Sequence, residues 1–179
     1  MKLFLKIVIG AIGLVLSLIL GIVIVSQFLP GEYRVERSTV VNAPPAAVFA
    51  KIGDLKEWKT WTVWHARDPQ MELQYSEATS GVGAWHAWKS KTEGNGRFTL
   101  TEWQKDQVVA YLLEFPDFGM KSDGRLELKP EGAGTKVTWI CSGKLTRDPL
   151  QRLFGRFLDK LIGADFEAGL TKLKAVVEQ

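Results

Sequence analysis

The chain has 179 residues, two histidines, one cysteine, and a formal charge of +3 from 23 basic and 20 acidic side chains. Two histidines exclude an HExxH zinc helix or a histidine-rich metal site, and a lone Cys141 excludes an internal disulfide or a CxxC pair. Without Lys2 and Lys6 the balance is 21 basic to 20 acidic residues; no basic stripe interleaved with aromatics exists, so no nucleic-acid partner is expected.

Residues Ile7 to Val25 carry no charged, amide or aromatic side chain, and fourteen of the nineteen are Ile, Leu or Val. As a helix the run measures roughly 28 Å, close to the hydrocarbon thickness of a bilayer. It is longer than a signal-peptide core, and no small-x-small cleavage site follows it, so an uncleaved signal-anchor is expected. Gly13, Ser17 and Gly21 fall on one face of this helix, a spacing that permits close approach of a second copy and hence a homodimer. Lys2, Lys6 and the amino terminus favour a cytoplasmic N-terminus, which places the rest of the chain outside the inner membrane of a bacterial host. Arg34 and Arg37 at the other end weaken that asymmetry.

Residues 26–32, with Leu29-Pro30-Gly31, form a short linker, so residues 33–179 are held close to the bilayer. The segment Tyr33 to Val41 alternates as a strand. Asn42-Ala-Pro-Pro45 opens a short helix bearing Val48, Phe49 and Ile52. Asp54 with Glu57 predicts a second, capped helix carrying Trp58 and Trp61. From Gln70 to Leu145 alternating segments follow one another across short glycine turns. Ala84, His86 and Trp88 share a face; so do Phe98, Leu100 and Glu102, and then Val109, Tyr111, Leu113 and Phe115. The strands around Leu126 and Leu128 (ending at Pro130) and around Val137, Trp139 and Cys141 complete an antiparallel meander of about seven strands.

Beyond Asp148-Pro149, an N-cap followed by a first-turn proline, the period becomes helical. About 30 residues form an amphipathic helix, with a kink expected at Gly163 and recapping by Asp165. The result is an α+β fold: a curved antiparallel sheet, two short helices after its first strand, and one long helix to cover the apolar face.

That order resembles the helix-grip fold of START lipid-transfer domains and birch-pollen-allergen-like proteins. More narrowly it resembles the bacterial polyketide cyclase/dehydrase and lipid transport group, the SRPBCC proteins. The resemblance rests on Val35-Glu-Arg-Ser38, Asn42-Ala-Pro-Pro-Ala-Ala-Val-Phe49, and Asp54 through Trp58-x-x-Trp61-x-x-Trp64. Ser80-Gly-Val-Gly-Ala84, Gly134-Thr-Lys-Val-Thr-Trp139 and Gly169-Leu-x-x-Leu-Lys174 add to it, and it spans residues 32–179. It implies an elongated apolar cavity between sheet and final helix. The residues it would place there are Trp61, His86, Trp88, Phe98, Leu100, Tyr111, Leu113, Leu126, Trp139, Phe157, Phe166 and Leu170.

Candidates for chemistry are few. His86 is either an acid or base within the cavity or a half-buried strand histidine. Glu102 is either an inward carboxylate with a raised pKa or a solvated rim residue, and Tyr111 is a third proton donor. Cys141 reads as a small apolar residue. No cofactor and no metal are implied. The expected function is membrane-tethered binding, and perhaps transfer, of a lipophilic small molecule. The alternative is a cyclase or aromatase-like enzyme acting on a polyketide-like substrate, with His86, Glu102 or Tyr111 moving protons. A third reading is an interaction module whose cavity has closed on its own tryptophans.

Overall fold

The computed structural model describes residues 2–179; Met1 and the Lys2 side chain, part of the charge pattern at the amino terminus, lie outside the described residues. The apolar run forms α1 (Lys2–Gln27), and its stretch Phe4–Gln27 is long and apolar enough to cross a membrane. Strand β1 (Glu32–Val41) follows, then three short helices, α2 (Pro45–Ile52), α3 (Trp58–Trp61) and α4 (Trp64–Arg67). Strands β2 (Glu72–Tyr75), β3 (Trp85–Lys89), β4 (Gly96–Gln104), β5 (Val108–Phe115), β6 (Met120–Glu131) and β7 (Gly134–Lys144) lead to the long helix α5 (Pro149–Val177). The sheet order is β1-β7-β6-β5-β4-β3-β2, antiparallel throughout, so the chain is a meander closed by β1 beside β7. This is the expected α+β, helix-grip-like architecture.

Three local expectations are corrected. The region after β1 contains three short helices, not two, and Asp54 does not cap the second. Its backbone bridges to Ser80, its carboxylate accepts from the Lys56 N–H, and α3 begins only at Trp58. Strand β6 continues through Pro130 to Glu131, because that end lies beyond Val108, the first residue of β5, and pairs only with β7. Helix α5 runs without interruption past Gly163. There a side chain would collide with the Arg37 guanidinium, which lies over the glycine and bonds Asp159 at 3.0 Å and Glu167 at 2.5 Å. The glycine serves an ion pair between β1 and α5, and the Asp159 carboxyl is held below its usual range mainly by the hydrogen bond from Arg37.

The tryptophans explain much of the local folding. Three consecutive carbonyls at the end of α2, those of Lys51, Ile52 and Gly53, accept indole N–H groups from Trp61, Trp58 and Trp103 at 3.0, 2.9 and 2.8 Å. A helix end leaves such carbonyls without partners. Here the indoles satisfy them, and in doing so they tie α2 to α3 and to β4. At the other terminus of importance, Asp148 caps α5 by accepting from the N–H groups of Leu150 and Gln151. Arg152 of α5 donates to the Leu29 carbonyl at 2.6 Å, and α1 touches α5, so the linker is pinned to the domain.

Candidate functional site: an aromatic cavity between sheet and helix

A cavity of about 320 Å³ opens between the concave face of the sheet and α5. Its sheet wall is His86 and Trp88 of β3, Phe98 of β4, and Tyr111 and Leu113 of β5. Leu158, Ile162 and Phe166 of α5 cover it, with Trp64 of α4 beside them. Tyr33, Ser122 and Cys141 close the β1–β7 end, and Phe118 and Met120 at the β5–β6 turn form part of the rim.

The wall aromatics fit because glycines stand opposite them. Trp88 pairs across strands with Gly96, Tyr111 with Gly124, and Tyr33 with Gly143. In each case a β-carbon on the glycine would strike the aromatic ring. The rings therefore lie flat over the neighbouring strand, which glycine in a strand interior permits.

Several expected wall residues lie elsewhere. Trp61 is fully buried in the core against Trp58 and Trp139. Trp139 is walled off by Phe166, which stacks on it at 3.9 Å between centroids and 5° between planes, and its indole donates to the Tyr111 hydroxyl at 2.9 Å. Leu100, Leu126 and Leu170 are packed core residues that do not line the cavity. Phe157 points away from the sheet and is exposed. Glu102 is turned out by a bulge between Leu100 and Glu102, and its carboxylate pairs with Arg125 on the outer face. Of the two readings of Glu102, the solvated one holds and the inward one fails, because one extra residue in β4 inverts the alternation. Gly13, Ser17 and Gly21 lie on α1 with open space around both glycines, and the Ser17 hydroxyl donates to the Gly13 carbonyl.

The structure also brings in residues that alternation could not reveal. Arg67 of α4 holds Asp165 of α5 through two bonds of 2.7 and 2.9 Å and Glu93 of the β3–β4 loop through two of 3.0 and 2.9 Å. Trp64 adds an indole bond to Asp165. This clasp borders the cavity and joins three elements distant in sequence.

Burial sets the protonation states. His86 is only 2% exposed, and desolvation pushes its pKa down to about 3. Burial pushes the Tyr111 hydroxyl well above its ordinary range, Tyr33 up to about 12 and the Cys141 thiol up to about 11. The cavity is thus lined by neutral groups at neutral pH, apart from the clasp at its border. Among the described residues no cluster of His, Cys, Asp or Glu has the arrangement of a metal site.

Residues 32–178 match the family described as polyketide cyclase/dehydrase and lipid transport. The chain belongs to that family. No curated protein matches it in sequence. Solved structures similar to it include a Thermobifida fusca protein with 24% identity, TM-score 0.63, covering 80% of this chain and 92% of that one. Protein CV1439 of Chromobacterium violaceum has 18% identity and TM-score 0.58, covering 84% and 99%. DynU16, a protein of the dynemicin biosynthetic locus, has 14% identity and TM-score 0.58 over 82% of this chain and 47% of its own length. These likenesses concern the fold.

Proposed function

We propose that this protein is a membrane-tethered binding module for a lipophilic small molecule, held between the sheet and α5 and passed to or from the adjoining bilayer. The observation that carries this reading is the aromatic-walled cavity of about 320 Å³, open on one side, within the range of small-ligand sites. Enclosing an apolar chain is favourable by about 0.8 kcal/mol per methylene, so such a cavity needs few polar contacts. Tethering is supported by the apolar Phe4–Gln27 segment and the pinned linker. On the outward side of α5, Leu150, Phe154, Phe157 and Leu161 form an apolar stripe, each more than half exposed. That stripe lies on the half of the helix whose neighbouring side covers the cavity, a disposition suited to lying on lipid.

The alternative of a cyclase-like enzyme draws less support. His86 stays unprotonated at neutral pH, Tyr111 stays protonated, and Glu102 is outside the cavity. In this reading the amino terminus is cytoplasmic and residue 31 onward lies outside the inner membrane, on the strength of Lys2 and Lys6. Fusions of alkaline phosphatase and green fluorescent protein after Gln179 test the orientation; fluorescence with inactive phosphatase reverses it. For binding, the full-length protein in nanodiscs should take up an environment-sensitive lipophile with energy transfer from its tryptophans. Uptake no greater than that of empty nanodiscs contradicts the proposal.

A further inference from the structure

The first half of α5 carries an excess of positive charge that the fold itself does not use. Residues 147–162 hold four basic side chains, Arg147, Arg152, Arg156 and Lys160, against two acidic ones, Asp148 and Asp159. Both acids are engaged: Asp148 accepts the N–H groups of Leu150 and Gln151, and Asp159 pairs with Arg37 of β1. Arg152 donates only to carbonyls, those of Thr146 and Leu29. Among the described residues no carboxylate pairs with any of the four. Residues 163–179 reverse the balance, with two basic and three acidic side chains. A helix favours anions at its N-terminus and cations at its C-terminus. The cations at the start of α5 oppose that dipole and, the carbonyl bonds of Arg152 apart, answer nothing within the chain.

These residues adjoin the apolar stripe. Arg152, Arg156 and Lys160 recur at every fourth residue and so form one ridge, and Lys160 lies one turn from Phe157. Arg156 and Lys160 are exposed, as are Leu150, Phe154, Phe157 and Leu161. Basic side chains beside exposed apolar ones suit a helix lying in an interface, where the stems pack on apolar surface and the charged heads reach phosphates. The same end of α5 is tied to the chain leaving α1 through the bond from Arg152 to Leu29.

Resting on the tethered reading above, we propose that the first half of α5 docks on an acidic bilayer surface. Leu150, Phe154, Phe157 and Leu161 enter the acyl boundary, and Arg147, Arg156 and Lys160 bind the phosphates of anionic lipids. The test uses the full-length protein with a nitroxide label at Phe154→Cys, in nanodiscs of phosphatidylcholine alone or with about one third phosphatidylglycerol. In the acidic discs the label should be docked, more accessible to oxygen than to a neutral nickel chelate. The ratio of docked to free label should be at least about fivefold lower in phosphatidylcholine alone, the worth of a single basic residue at an acidic surface. It should fall likewise in acidic discs at about 0.5 M salt. Arg147→Gln/Arg156→Gln/Lys160→Gln, which removes no ion pair, should keep the wild-type melting curve and show the low ratio in both discs. An equal ratio in the two lipids overturns the proposal, as does an acidic preference that survives in the triple variant. Dipolar broadening between labels also overturns it, since a second copy would then occupy the stripe. If the triple variant does not fold, the wild-type comparison of the two lipids still decides. Lipophile uptake is read separately: uptake without acid-dependent docking removes this inference alone, and docking without uptake removes the cavity reading alone.

Discussion

At the scale of single residues, the cavity depends on what is missing opposite its aromatic rings. Gly124→Ala places a methyl group into the Tyr111 ring, and overpacking of this kind costs about 1–3 kcal/mol. Because Tyr111 also accepts the Trp139 indole bond, the damage should spread to the stack with Phe166. Chemical denaturation should show the loss. His86 supplies the pH dependence. Its folded pKa of about 3 lies below the ordinary 6.5, so between those values the unfolded chain binds a proton that the folded chain refuses. Stability from this group is complete above about pH 6.5 and falls as the pH drops toward 3, by on the order of 2 kcal/mol between pH 7 and pH 5. His65, lowered by burial and then by Lys59 and Lys172, acts in the same direction. Melting curves of His86→Phe should be markedly flatter over that range; a slope equal to the wild type's would mean the histidine is not buried in its neutral form.

At the scale of elements, alternation along β3, β4 and β5 put His86 with Trp88, and Tyr111 with Leu113, on common faces and Phe98 on a face of its own strand, while the cavity those faces line was implied only by the helix-grip resemblance. The period fails where a local event changes phase. The bulge after Leu100 sends Glu102 outward and Trp103 inward to Gly53. On α5 a step of one residue separates Leu158, which covers the cavity, from Phe157, which does not; apolar character on both sides of the helix hid the boundary. Trp61, Trp139 and Leu170 face the interior as expected but lie deeper than the cavity, a matter of packing depth that no periodicity records. The Arg67–Glu93–Asp165 clasp joins a short helix, a loop and α5, and only the tertiary fold assembles it. The outward stripe of α5 yields its own expectation. A spin label at Phe154→Cys in the full-length protein in nanodiscs should be more accessible to oxygen than to a water-soluble nickel chelate, because Leu150, Phe157 and Leu161 carry it against lipid. Cys141, buried and with its pKa pushed up to about 11, should stay unlabelled. Water-like accessibility at position 154 would place the stripe away from the bilayer.

At the scale of the molecule, three features point the same way: an apolar helix able to span a membrane, a linker fixed to α5 by Arg152, and a cavity whose cover is that same helix. The fold itself was legible because the glycine-rich turns between strands and the change of period at Asp148 agreed with one topology. The guest was not, since an apolar enclosure works through shape and area, which leave no motif in the sequence. The most direct measurement is native mass spectrometry of the full-length protein released from gently solubilised membranes. A bound lipophile, retained on the wild type and lost when Leu113→Trp fills the cavity, is the predicted result. A protein that carries no small molecule, or carries the same one equally in wild type and Leu113→Trp, would contradict the account.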